Sequence, residues 1–166
     1  MAGGEKIGIN AAKADLFVKS VCVVTPTSRS DPAAVKCVED FWKAVGARTL
    51  RVSPGEHDDL VSRSSHLPHI VAAELANYVL SPAHSKEQED VCANGFRDTT
   101  RIASGSPEMW RDIVMANRKN LLRVLGVFIE DLEEFAIAIE KEDAKAVQEF
   151  FENAKQRRDK WCESSQ

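Results

Sequence analysis

The sequence predicts a mainly α chain, a C-terminal helical bundle preceded by a partial βαβ unit. Three observations carry this. Residues 1–56 hold two short β-branched runs on either side of one amphipathic helix signature, whereas everything from His57 onward has helical spacing. In the last third, Leu121, Leu125, Phe128, Leu132, Phe135 and Ile139 alternate by four and three, a heptad-like stripe.

The elements follow in order. Residues 20–26, SVCVVTP, form a buried strand ended by Thr25-Pro26. A helix begins after Ser30 or Asp31 as N-cap, with Pro32 in its first turn, Val35, Val38, Trp42 and Val45 on its apolar face, and Gly46 at its C-terminal end. RTLRVSP, from Arg48, is the second strand. Two strands make only one edge of a larger sheet, because a parallel pair needs neighbours to cover it. A long helix should run from His57 to Leu80, with a kink at Pro68, which withholds a donor from the Ser64 carbonyl. A polar break, SPAHSKEQED, leads to a short segment near Cys92. Asn94-Gly95 reads as a tight turn, with Asp98 or Thr99 capping a helix through Arg101, and Pro107 starts the next helix. Leu122, Ile129 and Ala136 widen the face of the long helix that follows, and Val147, Phe150, Phe151, Ala154 and Trp161 give the last helix its own apolar side. Faces this wide serve an internal core or a second subunit, and periodicity leaves both open.

Composition narrows the function. The net charge of −4, with acids and bases interspersed, gives no basic face for nucleic acid. No apolar run approaches the ~20 residues of a membrane helix, and the first residues do not have the pattern of a signal peptide. Cys22, Cys37, Cys92 and Cys162 lie far apart without C-x-x-C spacing, so they read as idle or buried thiols. The expectation is a soluble cytoplasmic chain.

Two clusters could carry chemistry. On the Pro68 helix, Ser62, Ser65 and His69 share one face at i, i+3 and i+7, and His66 points a quarter-turn away with Ile70 and Ala73. Such a Ser–His arrangement is also common in ordinary cores. A metal site from His57, Asp58, His66 and His69 would need ligands that converge, and these face different ways. The second cluster is NGFRDTTRIASGSPEMW, residues 94–110. There Arg101 near a helix start would make a carboxylate or phosphate site, with Asp98 holding its fork. The plainer alternative is a surface Arg–Asp pair worth ~0–1 kcal/mol.

Three stretches in this order, MAGGEKIG (1–8), HDDLVSRSSHLPH (57–69) and GFRDTTRIASGSPEMWRDI (95–113), resemble the prephenate/arogenate dehydrogenase family of tyrosine biosynthesis. ANRKN (116–120), opening the long helix, extends the resemblance over nearly the whole chain. The resemblance implies that residues 1–56 are the C-terminal remnant of a Rossmann-type nucleotide-binding domain. Residues 57–166 would then be the all-helical substrate-binding and dimerisation domain. It implies oxidative decarboxylation of prephenate, or its amino analogue arogenate, with NAD or NADP as hydride acceptor and aromatisation as driving force. It further implies a homodimer through the helical domain. By the same resemblance, Arg101 grips a substrate carboxylate, where a bidentate fork suits better than Lys. Ser65 and His69 contact the substrate, Asp98 and Trp110 orient and close the pocket, and Glu5 is an acidic site residue near the domain junction. His66 is structural.

The chain departs from the family pattern at two points. No G-x-G-x-x-G turn occurs in it, and the glycines of AGGEKIG have the wrong spacing. The family's general-base histidine would fall upstream of Met1, so no catalytic residue and no cofactor-binding residue is assigned here. The expectation is a truncated prephenate dehydrogenase-like chain, inactive by itself. The competing readings are a non-catalytic helical dimerisation module that binds an aromatic carboxylic acid, and a metal hydrolase using the histidines.

Overall fold

The structure, a computed structural model, describes residues 12–164. Glu5 lies outside the described residues. The chain divides into two compact units, one ending at Leu121 and the other beginning at Leu122.

The first unit opens with the expected βαβ crossover. Strand β1 (Val21–Val24) pairs in parallel with β2 (Arg48–Arg51) in the register Val21↔Arg48 to Val24↔Arg51. Between them runs α1 (Pro32–Ala44). Asp31 is its N-cap and accepts from the Ala33 N–H, which settles the choice between Ser30 and Asp31. Val45 is the C-cap, and Gly46 follows at φ +87°, where a side chain would be strained and would crowd Val18. The helix docks through Trp42, whose ring meets Phe17 edge-on at 5.0 Å. Glu39 of α1 also pairs with Arg51 of β2 at 2.8 Å.

The helices after β2 start earlier than His57. Helix α2 (Pro54–Val61) is opened by a capping box: the Ser53 hydroxyl accepts from the Glu56 N–H, and the Glu56 carboxylate accepts from the Ser53 N–H. Those hydrogen bonds also hold the Glu56 carboxyl below the usual range. The expected single helix to Leu80 is two helices joined by a π turn, Ser62–His66, followed by α3 (Leu67–Val79). Pro68 therefore sits in the first turn of α3, where its missing N–H costs little. The kink expected there takes the form of this wider turn.

After α4 (Glu87–Asp90), the reading of residues 94–101 needs correction. Asn94-Gly95 is the first turn of α5 (Asn94–Thr100), not a tight turn before it, and Ala93 is the N-cap. Asp98 and Thr99 lie inside that helix, and Thr99 and Thr100 return their hydroxyls to the Gly95 and Phe96 carbonyls. A 3₁₀ turn (Arg101–Ser104) leads to α6 (Pro107–Ala116), capped by Ser106.

Helix α7 (Arg118–Glu140) begins in the first unit and continues into the second, which it forms with α8 (Ala144–Ser164). Within that unit Phe135 stacks on Phe150 at 4.2 Å, and Phe151 closes edge-on. Much of the remaining apolar surface is open: Leu122, Phe151 and Trp161 are each 60% exposed or more. No helix of the described residues is long and apolar enough to cross a membrane.

Candidate functional site

The site is built around the π turn. A π turn widens the helix by one residue and breaks the regular i−4 ladder, so nearby carbonyls need other donors. The serine-rich sequence SRSSH supplies them. Ser62 donates to the Asp59 carbonyl at 2.7 Å and Ser64 to the Leu60 carbonyl at 2.9 Å. Asn117, the C-cap of α6, donates to the Asp58 carbonyl at 2.7 Å. Ser62, Ser65, His66 and Asn117 are all buried, yet no buried side-chain polar atom among the described residues lacks a partner.

Beyond the π turn, His69, Ile70 and Ala73 of α3 line a cavity of about 350 Å³. Ile102 of the 3₁₀ turn and Trp110 and Val114 of α6 close it. That volume and its largely apolar lining suit one small ring. The His69 imidazole lies on the Trp110 indole, centroids 3.8 Å apart and planes 29° from parallel. Gly105 lets the indole approach closely, since a Cβ there would stand 2.6 Å from Trp110 Nε1. His69 Nδ1 lies 2.8 Å from the Ser65 carbonyl oxygen, and because a carbonyl only accepts, Nδ1 carries the proton. In the neutral ring Nε2 then keeps its lone pair. Ile70 and Ala73 share this wall with His69, and His66, at the end of the π turn, meets the same Trp110 indole edge-on at 6.3 Å.

Arg101 is placed differently from the expectation that it shares His69's cavity. It lines a second, more polar cavity of about 470 Å³ with Cys92, Phe96, Arg97, Thr100 and Ser104. The 3₁₀ turn separates the two: Arg101 and Ser104 face one cavity, Ile102 and Ala103 the other. Arg101 also sits at the C-terminal end of α5, where a cation is favoured, and not at a helix start. Asp98 is exposed on α5 and lines neither cavity. Ser65, buried in the π turn, reaches the first cavity's wall through its carbonyl bond to His69. Of the residues singled out from sequence, His69 and Trp110 thus stand together.

Sequence reasoning missed Asn117 and the π turn. The run of serines before Pro68, each able to feed a neighbouring carbonyl, was the available signal. Among the described residues no group of three or more His, Cys, Asp or Glu could hold a metal.

Comparison with known proteins adds an independent line. Residues 53–155 match the family described as prephenate dehydrogenase, dimerization domain, and residues 1–51 match prephenate dehydrogenase, nucleotide-binding domain. The chain is 38% identical to a prephenate dehydrogenase of Bacillus subtilis over 96% of its length, covering 43% of that protein. It is 34% identical to a cyclohexadienyl dehydrogenase of Zymomonas mobilis over 95% of its length, covering 55% of that protein. Among solved structures, Aquifex aeolicus prephenate dehydrogenase in complex with hydroxyphenyl propionate and NAD+ superposes with a TM-score of 0.88 at 31% identity, covering 96% of this chain and 56% of that one. Synechocystis arogenate dehydrogenase gives 0.82 at 28% identity, covering 96% and 59%. The chain spans about half the length of the curated relatives it matches.

Proposed function

The chain belongs to the prephenate dehydrogenase family, and on that premise we propose that it supplies the substrate-binding and dimerisation side of an NAD(P)-dependent oxidative decarboxylation of prephenate or arogenate. The observation that carries this reading is the His69–Trp110 stack in a ring-sized cavity, one 3₁₀ turn away from the Arg101 cavity. In it, His69 offers Nε2 to a polar substrate atom while Ser65 holds the ring through Nδ1. Trp110 bounds the ring of the substrate, Arg101 binds a carboxylate, and Asp98, three residues before it, orients that arginine. The hydroxyphenyl propionate in the Aquifex relative's complex is an aromatic carboxylic acid of the same size class and supports this assignment.

NAD+ accompanies that relative, and the nucleotide-binding family covers residues 1–51. The G-x-G-x-x-G motif that seats a pyrophosphate does not occur in these 166 residues. We accordingly take the division as 1–56 for the nucleotide-binding remnant and 57–166 for the helical domain. On this reading the 166 residues by themselves do not turn over. The exposed apolar faces of α7 and α8 support a homodimer, and the unpatterned cysteines support a cytoplasmic location.

Calorimetry with prephenate tests the site. Arg101→Ala should weaken binding at least tenfold, about 1.4 kcal/mol or more, whereas Arg111→Ala, on an exposed side chain paired with Asp112, should change it little. Equal losses would remove Arg101 from the site. Sustained formation of reduced cofactor by the purified chain with prephenate and NAD or NADP would refute the inactivity, while binding without turnover leaves the assignment standing.

A further inference from the structure

The two histidines of the S-H-L-P-H motif carry opposite hydrogen-bond roles. His69 Nδ1 donates to a carbonyl, whereas His66 Nδ1 faces the amide nitrogen of Asn117 at 3.3 Å and must accept. The Asn117 amide cannot be turned around to change this. Its Oδ1 accepts from Asn120 Nδ2 at 2.9 Å, and its Nδ2 donates to the Asp58 carbonyl. Asn117 and His66 are 8% and 9% exposed, so these bonds are made away from water. His66 also meets the indole of Trp110 edge-on at 6.3 Å, the same indole that stacks on His69.

We propose that Asn117 is a positioning residue for the cavity wall: its amide ties the α2 backbone to the His66 ring, holds the π turn in register, and thereby sets the His69–Trp110 stack. A proton on His66 Nδ1 would place two donors face to face and release the tie. The neighbourhood resists that proton. Burial, then the nearby His57, holds His66 below its ordinary value of 6.5, Asp58 of α2 pulls the other way, and His69 of α3 adds to the lowering. From α6 and its C-cap, Trp110 and Asn117 face it without charge. The functional weight of this tie rests on the His69 cavity being the substrate site, but the tie itself does not.

NMR of the imidazole signals in the full 166-residue chain tests it. Wild-type His66 should keep the neutral Nε2–H pattern at pH values where a free imidazole is protonated. Asn117→Asp, whose carboxylate faces Nδ1, should move the His66 midpoint upward by about one pH unit or more. Asn117→Ala should reduce the ring-current shift that Trp110 imposes on His69 at neutral pH, which loss of stability alone would not do in a folded sample. Should both variants fail to fold, Asn120→Ala, which removes the donor on Asn117 Oδ1 and loosens the amide, is expected to produce a smaller loss of the same shift. A wild-type His66 that titrates like a free imidazole overturns the proposal, as does a His69 shift unmoved by Asn117→Ala or, in its place, Asn120→Ala. Failure of prephenate to bind would sink the substrate assignment and leave these readouts to judge the tie.

Discussion

Two regions of this molecule invert the usual relation between polarity and burial. Around the π turn, Ser62 is 0% exposed, with Ser65, His66 and Asn117 buried beside it. Along α7 and α8, Leu122 is 69% exposed and Trp161 62%. Polar groups go inside in the first region because each has a hydrogen-bond partner, which removes most of the desolvation cost. In the second, apolar groups of α7 and α8 stay open among the described residues. The first region satisfies its polar groups internally, whereas the second leaves an apolar face open.

The sharpest way to break this contrast is to charge the open face. The chain should be a dimer at micromolar concentration by light scattering. The double change Leu122→Asp and Ile129→Asp should leave a folded monomer, since an unpaired carboxylate in an apolar interface costs several kcal/mol. A monomeric wild type would mean that the exposed face has another partner.

A smaller effect comes from exchanging hydropathy in opposite senses. Ser62→Val makes the buried turn more apolar, yet should destabilise by about 2–3 kcal/mol in urea melts, because the hydroxyl bond to the Asp59 carbonyl is lost and the added bulk has no room at a fully buried position. Val127→Ser, at a position 53% exposed, should cost under about 1 kcal/mol. Equal costs would show that the two regions do not differ as described.

The smallest effect is on pH. The folded state holds His66 below 6.5, so as pH falls through that value the unfolded chain takes up the proton first and stability declines. Stability from this group is present above the unfolded value and is lost as pH falls through the folded one. His66→Gln should flatten that part of the curve, measured as the melting midpoint between pH 7 and pH 5.

Much of this was legible in the sequence. The βαβ crossover, a cap at Ser30 or Asp31, the start of α6 at Pro107 and the long α7 all followed from periodicity and capping chemistry. The Ser53–Glu56 capping box, a serine three residues before a glutamate, is an equally legible signal that places the helix start ahead of His57. The errors at 94–101 had a physical cause. Asn-Gly and Thr are turn residues by propensity, and here tertiary packing carried them into a helix, so Arg101 moved from a helix start to a helix end.

The sequence by itself determined which residue types were available: two imidazoles and a proline in one motif, an indole and guanidinium in another, and a wide apolar stripe fit for an internal core or a second subunit. Only the tertiary structure decided how they meet. A π turn adds one residue to a helical circuit, so every face assignment downstream of it rotates, and no periodicity count made across it can hold. Across that turn His69 stands against Trp110 and His66 against Asn117, fifty-one positions away, while Arg101, on another helix, lines the neighbouring cavity. Hydrogen bonds at such separation depend on where two helices cross, which local spacing does not encode.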